Sequence, residues 1–426
     1  MQHARTAIIA ACGLVTTAPA QLTALAQLTS GGKAGERLGA AVALADGRLI
    51  TGAPGDPEQD VRGVVYVASI ETGDVVHTIS DPLGQLGAEF GGAVAVDGNT
   101  LVIAAPQAGS GRVNVYELST GTHQHMLLPP IGIKNFGESV AIHADRIVVG
   151  APSDGQSPSA AVVFDAGSGE VIQSLTSRVA EFSQFGASVD VDDQRVIVGD
   201  PFLGRAYVFD GDQRLALEYA NSTAFGAAVA IEEGVAVVSV NKGAVAFDAA
   251  SGEQTGVIKF PKGFSNSDGT PLALDQGRVL LGLVNAGSAS GVFVFDAEGT
   301  LIQSVAEFRS DRNDGFAGAI AMRGNDAAIG AERNYIPRPN SGATHVFDLG
   351  PRCKADMALP FGELDLSDFD AFYEAFRAEK ASADFAAPFG QFDDADENAF
   401  VAMFKSACLR VRRDSPEPDA PNARGP

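Results

Sequence analysis

FGESVAIHADRIVVGAP, Phe136 to Pro152, decides the fold. It reads as two short strands and a tight turn. Residues 139–142 and 146–149 are β-prone runs, and His143-Ala144-Asp145 joins them. A Phe-Gly pair opens the unit and Gly-Ala-Pro closes it. The unit recurs with drift from Leu38-Gly39 to Gly52-Ala53-Pro54, from Phe90-Gly91 to Ala104-Ala105-Pro106 and from Phe185-Gly186 to Gly199-Asp200-Pro201. Another copy starts at Phe225-Gly226, and a worn one runs from Phe316-Ala317 to Gly330-Ala331-Glu332. Residues 270–283 (TPLALDQGRVLLGL) keep the strand rhythm without the Phe-Gly, which makes seven copies. Their spacing, roughly 38 to 52 residues, is that of a propeller or solenoid.

Each copy contains four strand-like pieces. The third recurs as Val163-Phe164-Asp165, Val208-Phe209-Asp210, Val294-Phe295-Asp296 and Val346-Phe347-Asp348, followed by a turn such as Gly167-Ser168-Gly169. Four antiparallel strands per unit make a propeller blade. The first strand is built from small residues (Ala40 to Ala43, Gly92 to Ala95, Ala227 to Ala230), as crowding near a propeller axis demands. The last copy stops at Leu349 without a fourth piece, while residues 22–30 (LTALAQLTS) resemble the fourth piece of other copies. The expectation is a mainly β protein. A seven-bladed β-propeller of four-stranded antiparallel blades spans residues 21–350, with 21–30 closing the last blade.

Composition narrows the function. A formal net charge of −23 argues against a nucleic-acid partner, because phosphate binding needs clustered Lys and Arg. No apolar run reaches a membrane-spanning length. Residues 1–20 read as a secretory signal: His3 and Arg5, an apolar stretch, then Ala18-Pro19-Ala20 as cleavage site. A lipoprotein signal with Cys12 as the lipidated residue is the competing reading. Cleavage after Ala20 leaves Cys353 and Cys408, an even pair that in an exported protein suggests a disulfide.

The repeats resemble FG-GAP repeats, the blades of integrin α-subunit propellers and of many exported bacterial proteins, over residues 22–350. Such repeats often carry a DxDxDG calcium loop between the first two strands. The equivalent turns here, Asp97-Gly98-Asn99, Asp192-Asp193-Gln194 and Glu232-Glu233-Gly234 among them, lack three spaced carboxylates and read as hairpin turns. The loops between second and third strands share a face with the connections between blades, and the longest are 54–62, 152–159 and 332–341. The first brings Asp56, Glu58 and Asp60; the last, in the blade adjoining it after ring closure, brings Arg333, Tyr335 and Arg338. These six are the candidate ligand-binding residues, for a protein or glycan. His123 and His125 alternate on a presumed outer strand and so share a face where a metal could bind. No nucleophile motif or metal spacing appears among the histidines, and no catalytic residue is assigned.

Composition changes after Gly350, and a second repeat appears with a period of 28, Asp356 matching Asp384 and Pro360-Phe361-Gly362 matching Pro388-Phe389-Gly390. Each half reads as an acidic loop and a helix, the first with Phe369, Phe372, Tyr373 and Phe376 along one stripe. Paired loop-helix halves between terminal cysteines resemble a dockerin domain of the kind with flanking Cys, over residues 351–408. That resemblance implies calcium in EF-hand-like loops and a cohesin-like scaffold partner. Asp356 and Asp384 stand at the first ligand position, but Ala358, Pro360, Ala386 and Pro388 replace the next two. Asp365, Asp368, Asp393 and Asp396 complete the ligand candidates; they also suit helix N-termini. Residues 409–426 read as a disordered tail.

The reading is therefore an exported, non-enzymatic binding or adhesion propeller, secreted or at the cell surface and tethered through a dockerin-like module. No cofactor is expected beyond calcium in that module. A hydrolytic, carbohydrate-processing propeller is the first alternative, and it needs clustered carboxylates at the mouth of the ring. A structural surface-layer component is the second.

Overall fold

A computed structural model of the chain describes residues 24–29, 34–45, 47–153, 155, 157–177, 183–220, 222, 224–261, 265–266, 269–286, 289–308, 315–333 and 341–349. They form seven four-stranded antiparallel sheets, six of them built as simple meanders. The third blade consists of Ser139–His143, Arg146–Ala151, Ala160–Asp165 and Val171–Leu175, paired Ser139 to Gly150, Ile147 to Phe164 and Ala161 to Leu175. Pro152 follows the second strand directly, where its missing N–H ends the ladder. The copy without Phe-Gly is a complete blade, with Leu272–Asp275 and Arg278–Ala286 as its first two strands. The first strands touch one another in sequence around the ring, and the first also touches the last. The protein is thus a seven-bladed β-propeller.

The seventh blade takes its outer strand from the other end of the chain. Ala24–Thr29 pairs antiparallel with Ala343–Asp348, Leu28 opposite Thr344. Further bonds join the seventh blade to the first: Leu38 N donates to Ser341 O at 3.1 Å, and the buried hydroxyls of Thr51 and Thr344 meet at 2.8 Å.

The motif residues explain themselves in the packing between blades. The glycine of each Phe-Gly has φ of 87° (Gly39), 89° (Gly91), 98° (Gly137), 92° (Gly186) and 91° (Gly226), which other residues avoid. That backbone turns the glycine carbonyl toward the blade before it. A Cβ on Gly150 would stand 2.1 Å from Gly186 O, and one on Gly199 2.0 Å from Gly226 O; Gly52 and Gly330 face Gly91 O and Gly39 O in the same way. Two glycines a blade apart thus let backbones touch. Ser139 Oγ adds a bond to the same Gly186 carbonyl at 2.9 Å, and Ser188 Oγ one to Gly226 O at 3.0 Å. Beside four of these glycines a Phe fills the space between blades, and beside Gly39 a buried Leu38 does so. Phe90, Phe136, Phe185 and Phe225 are fully buried. Phe136, Phe185 and Phe225 meet the third-strand aromatics Phe164, Phe209 and Phe247 edge to face, at 5.8, 5.9 and 6.0 Å.

A second set of bonds works at the opposite rim, in the turns between first and second strands. Asp97 Oδ2 accepts from Ala144 N of the next blade at 2.8 Å, Glu232 Oε2 from Gly277 N at 3.2 Å and Asp275 Oδ2 from Gly324 N at 2.7 Å. Arg146 and Arg278 donate to carbonyls of the following blade, Asp192 O and Gly324 O. The acidic turns are hairpin turns, and the carboxylates of Asp97, Glu232 and Asp275 latch the second, fifth and sixth blades to their successors.

The glycine contact yields the first prediction. Gly150→Ala pushes a methyl into the Gly186 carbonyl and is expected to cost about 1–3 kcal/mol. Urea unfolding monitored by circular dichroism measures this, and an unchanged midpoint contradicts the role given to the contact.

Candidate functional site

The loop between the second and third strands of the first blade is a closed, self-bonded structure. Asp56 caps the short 3-10 helix Pro57–Gln59, its carboxylate accepting from Glu58 N at 2.9 Å and Gln59 Nε2 at 2.7 Å. The backbones of Asp56 and Val61 bond each other in both directions, and Asp60 takes φ of 56° to close the turn. Asp56 is therefore occupied in building the loop, whereas Glu58 and Asp60 are exposed. The loop lies against Gly35 and Gly87, in the connections on either side of the blade. Arg333 is exposed and pairs with its neighbour Glu332 at 3.6 Å; it makes no ion pair with Asp56, Glu58 or Asp60. The cation between the two regions is Arg37, with its guanidinium 2.9 Å from Glu332 and 3.9 Å from Glu89. Tyr335 and Arg338 lie outside the described residues.

The same face carries apolar side chains in water. Leu83 and Leu86 stand in the connection from first to second blade, Leu128 and Ile131 in the next connection, and Phe202 in the fourth blade's loop. Ile131 is wholly exposed, Leu83 and Phe202 are 63% exposed and Leu128 60%. The backbone beneath Leu83 is fixed at some cost. The buried pair of Arg112 Nη2 and Asp81 Oδ1, at 2.6 Å, is reinforced by Leu83 N and Gln85 N, which donate to the Asp81 carboxylate at 3.1 and 2.8 Å. Arg112 also reaches Gln85 Oε1 at 3.1 Å. A buried charge pair adds little net stability but defines a geometry. Pro82, Pro129 and Pro130 stiffen the two connections further.

At the axis, the first residues of the inner strands surround a cavity of about 390 Å³ whose lining includes Ala40, Gly92, Glu138, Ala227 and Gly318. Glu138 is the one charged residue of that lining. Burial, and then the like charge of Glu89, hold its carboxyl above the usual carboxylate range. Nothing in the sequence reading singled out Glu138, although a signal was there: the same repeat column reads Ala40, Gly92, Ala187, Ala227 and Gly318.

Asp190 breaks a second column, which is Ala43, Ala95, Ala141, Ala230, Ala273 and Ala321 in the other blades. Its Oδ2 accepts from Ile231 N of the fifth blade at 2.8 Å. Burial between inner strands dominates its titration, and the carboxyl is pushed up to about 7 against the backbone donors Ile231 N and Val191 N, with Asp192 and Glu232 adding to the rise.

His123 and His125 do not share a face. The pairing of third and fourth strands shifts between Val115 and Tyr116, so His125 lies opposite Val115 and His123 opposite Tyr116. Val115 and Tyr116 point to opposite sides of the blade. His123 packs edge-on against the Tyr116 ring at 5.1 Å, while His125 lies against Gly169 of the next blade. A bulge, invisible to a period-two reading, separates the pair. Among the described residues no group of three His, Cys, Asp or Glu side chains is placed to hold a metal ion.

Asp356, Asp365, Asp368, Asp384, Asp393, Asp396, Cys353 and Cys408 lie outside the described residues, as do the expected signal segment and Cys12. Among the described residues no helix is long and apolar enough to cross a membrane. No protein-family model matches the chain, and no curated protein matches it.

The titration of Asp190 has a measurable consequence. A carboxyl raised in the fold gives stability that is fully present below its unfolded value, near 4, and is lost as pH rises through about 7. Asp190→Asn keeps an acceptor for Ile231 N and removes the ionisation. The wild type is expected to lose about 2–6 °C in Tm relative to the variant between pH 5 and pH 8. Thermal melts across that range test it; a difference independent of pH contradicts it.

Proposed function

We propose that the protein is an exported, non-enzymatic binding or adhesion propeller of the FG-GAP kind, tethered by a dockerin-like module at residues 351–408. One observation carries the binding part. Large aliphatic and aromatic side chains stand exposed on one face, at Leu83, Leu128 and Ile131 on two stiffened connections and at Phe202 in the fourth blade's loop. Exposed apolar surface on a rigid scaffold is typical of a protein-contact site. Glu58 and Asp60, on the loop that lies against Gly87, add negative charge beside Leu86, so the partner favoured here presents apolar residues flanked by Lys or Arg. Arg333, Tyr335 and Arg338 belong to the same proposal as contacts from the seventh blade's loop.

The hydrolytic alternative needs two carboxylates free to share a substrate at the mouth. Glu138 and Glu89 feel each other's charge, and Glu89 faces Arg37 at 3.9 Å. That engagement supports binding over hydrolysis. The Phe-Gly and Gly-Ala-Pro residues support the family reading, since their contacts between blades are the same in copy after copy.

Array or capture experiments with the full chain test the face. Leu83→Asp combined with Ile131→Asp is expected to weaken retention of a captured protein at least about tenfold, or by about 1.4 kcal/mol, with Tm unchanged. Val171→Asp with Ile172→Asp, on an exposed outer strand, is expected to leave retention intact. Equal retention by all three proteins rejects the face.

The module is tested separately. Mass spectrometry of the mature protein is expected to find Cys353 crosslinked to Cys408. A bridge closing a loop of about 55 residues contributes about 4 kcal/mol in the chain-entropy account, so a reductant should melt the module and leave the propeller folded. Two free thiols in exported protein count against a stapled anchoring domain.

A further inference from the structure

Among the described residues, the Glu138 carboxylate has neither a hydrogen-bond nor an ion-pair partner, and the charged side chain that influences it is Glu89, of like sign. Arg37, which stands 3.9 Å from Glu89, is committed to Glu332 at 2.9 Å. Solvent reaches this carboxylate, yet it has no cation and feels the charge of a second carboxylate, which disfavours its charged form. The fold does not require it, because the same column is filled by Ala or Gly in the first, second, fourth, fifth and seventh blades. The rest of the lining has small or aliphatic side chains, with Ala41, Val42, Val140, Ala228 and Leu272 among them. Its volume, about 390 Å³, lies within the range of small-ligand sites.

We propose that this axial cavity binds a primary alkylammonium group, with the charge on the Glu138 carboxylate and the aliphatic stem against the small side chains of neighbouring inner strands. The chemistry follows from the inventory. A single carboxylate among small, uncharged side chains rejects anions and selects one compact cation. An ammonium group suits it better than a guanidinium, whose five donors would be left largely unsatisfied. The net charge of −23 concentrates cations at the surface in low salt. Two sources supply such a group: a free amine, or a lysine side chain of a bound protein. The site is separate from the apolar rim, which is formed by other residues.

Calorimetric titration of the full chain at pH 7.5 and low salt decides the matter. The probes are n-butylammonium, cadaverine and Nα-acetyl-lysine methylamide, with 1-butanol and butyrate as controls. Saturable binding of at least one ammonium probe is expected, with neither control binding. Binding should weaken about tenfold or more in Glu138→Gln and Glu138→Ala, and should fall at acid pH as the carboxyl protonates. Glu138→Ala restores the residue at Ala40, Ala187 and Ala227, so it is compatible with the fold, and an unchanged Tm verifies this. Binding of the simple amines assigns the site to a free amine; binding of the lysine derivative alone assigns it to a partner's side chain. Absence of binding by every ammonium probe, equal binding by wild type and Glu138→Ala, or equal binding of 1-butanol overturns the proposal.

Discussion

The propeller depends on a contact between two backbones. At four junctions the carbonyl of a positive-φ glycine (Gly39, Gly91, Gly186, Gly226) rests on a glycine of the preceding blade (Gly330, Gly52, Gly150, Gly199), at a separation that leaves no room for a Cβ, while Gly137 meets Ala104 instead. The positive φ of the first glycine aims the carbonyl, and the absent side chain of the second admits it. Neither glycine is explained within its own blade. The pairing appears only when neighbouring copies are set side by side, and it sets how closely the inner strands approach. Where the motif has worn, the geometry persists under strain: Ala317 holds φ of 67°, and its carbonyl lies 2.6 Å from the position of a Cβ on Gly282. The ring has to close, so the seventh blade adopts the backbone that the other six dictate.

Closure is spread over contacts of different kinds. An outer strand from residues 24–29, the bond between Thr51 and Thr344 and the Arg37 to Glu332 pair all join sequence-distant segments. Each alone is modest. Together they convert an open array with an exposed sheet edge into a ring in which every blade has two neighbours. The latches at the other rim serve the same end. Asp97, Glu232 and Asp275 stand near the turns where the resemblance to integrin-type blades would place calcium ligands, and here they accept directly from the next blade's backbone. Acidic residues in these turns thus connect blades with hydrogen bonds.

Much of this was legible in the chain. Blade count and strand number followed from periodicity, since a repeat's hydrophobic rhythm is set by local backbone geometry and survives drift, as residues 272–286 show. Features that depend on register were not legible. The bulge at Val115 and Tyr116 sends His123 and His125 to opposite faces, and no period-two pattern contains that information. Asp56 read as a free carboxylate because its sequence neighbours do not reveal that it accepts from Glu58 N and Gln59 Nε2. The loop-face hydrophobics were not legible for another reason: Leu83 and Ile131 stand in connections between blades, outside the charged loops within them.

Repetition supplies its own control for what remains. Each inner-strand column is sampled seven times by one chain, so a residue that departs from its column is set against six siblings in the same backbone environment. The column at Asp190 is otherwise alanine, and a carboxyl there makes the fold's stability fall as it ionises, despite the bond from Ile231 N. The column at Glu138 is Ala or Gly in five other blades, and the carboxylate there sits in the axial cavity beside a like charge. Packing accounts for neither, because alanine packs equally well in the sibling blades. The two departures differ in what surrounds them. Asp190 satisfies a neighbour's backbone and so has a reason internal to the ring, weak as the energetic return is. Glu138 satisfies nothing within the described protein. In a ring whose glycines, phenylalanines and turn acids all contact an adjacent blade, a side chain aimed at the shared cavity and answered by no other is positioned for something that arrives from outside.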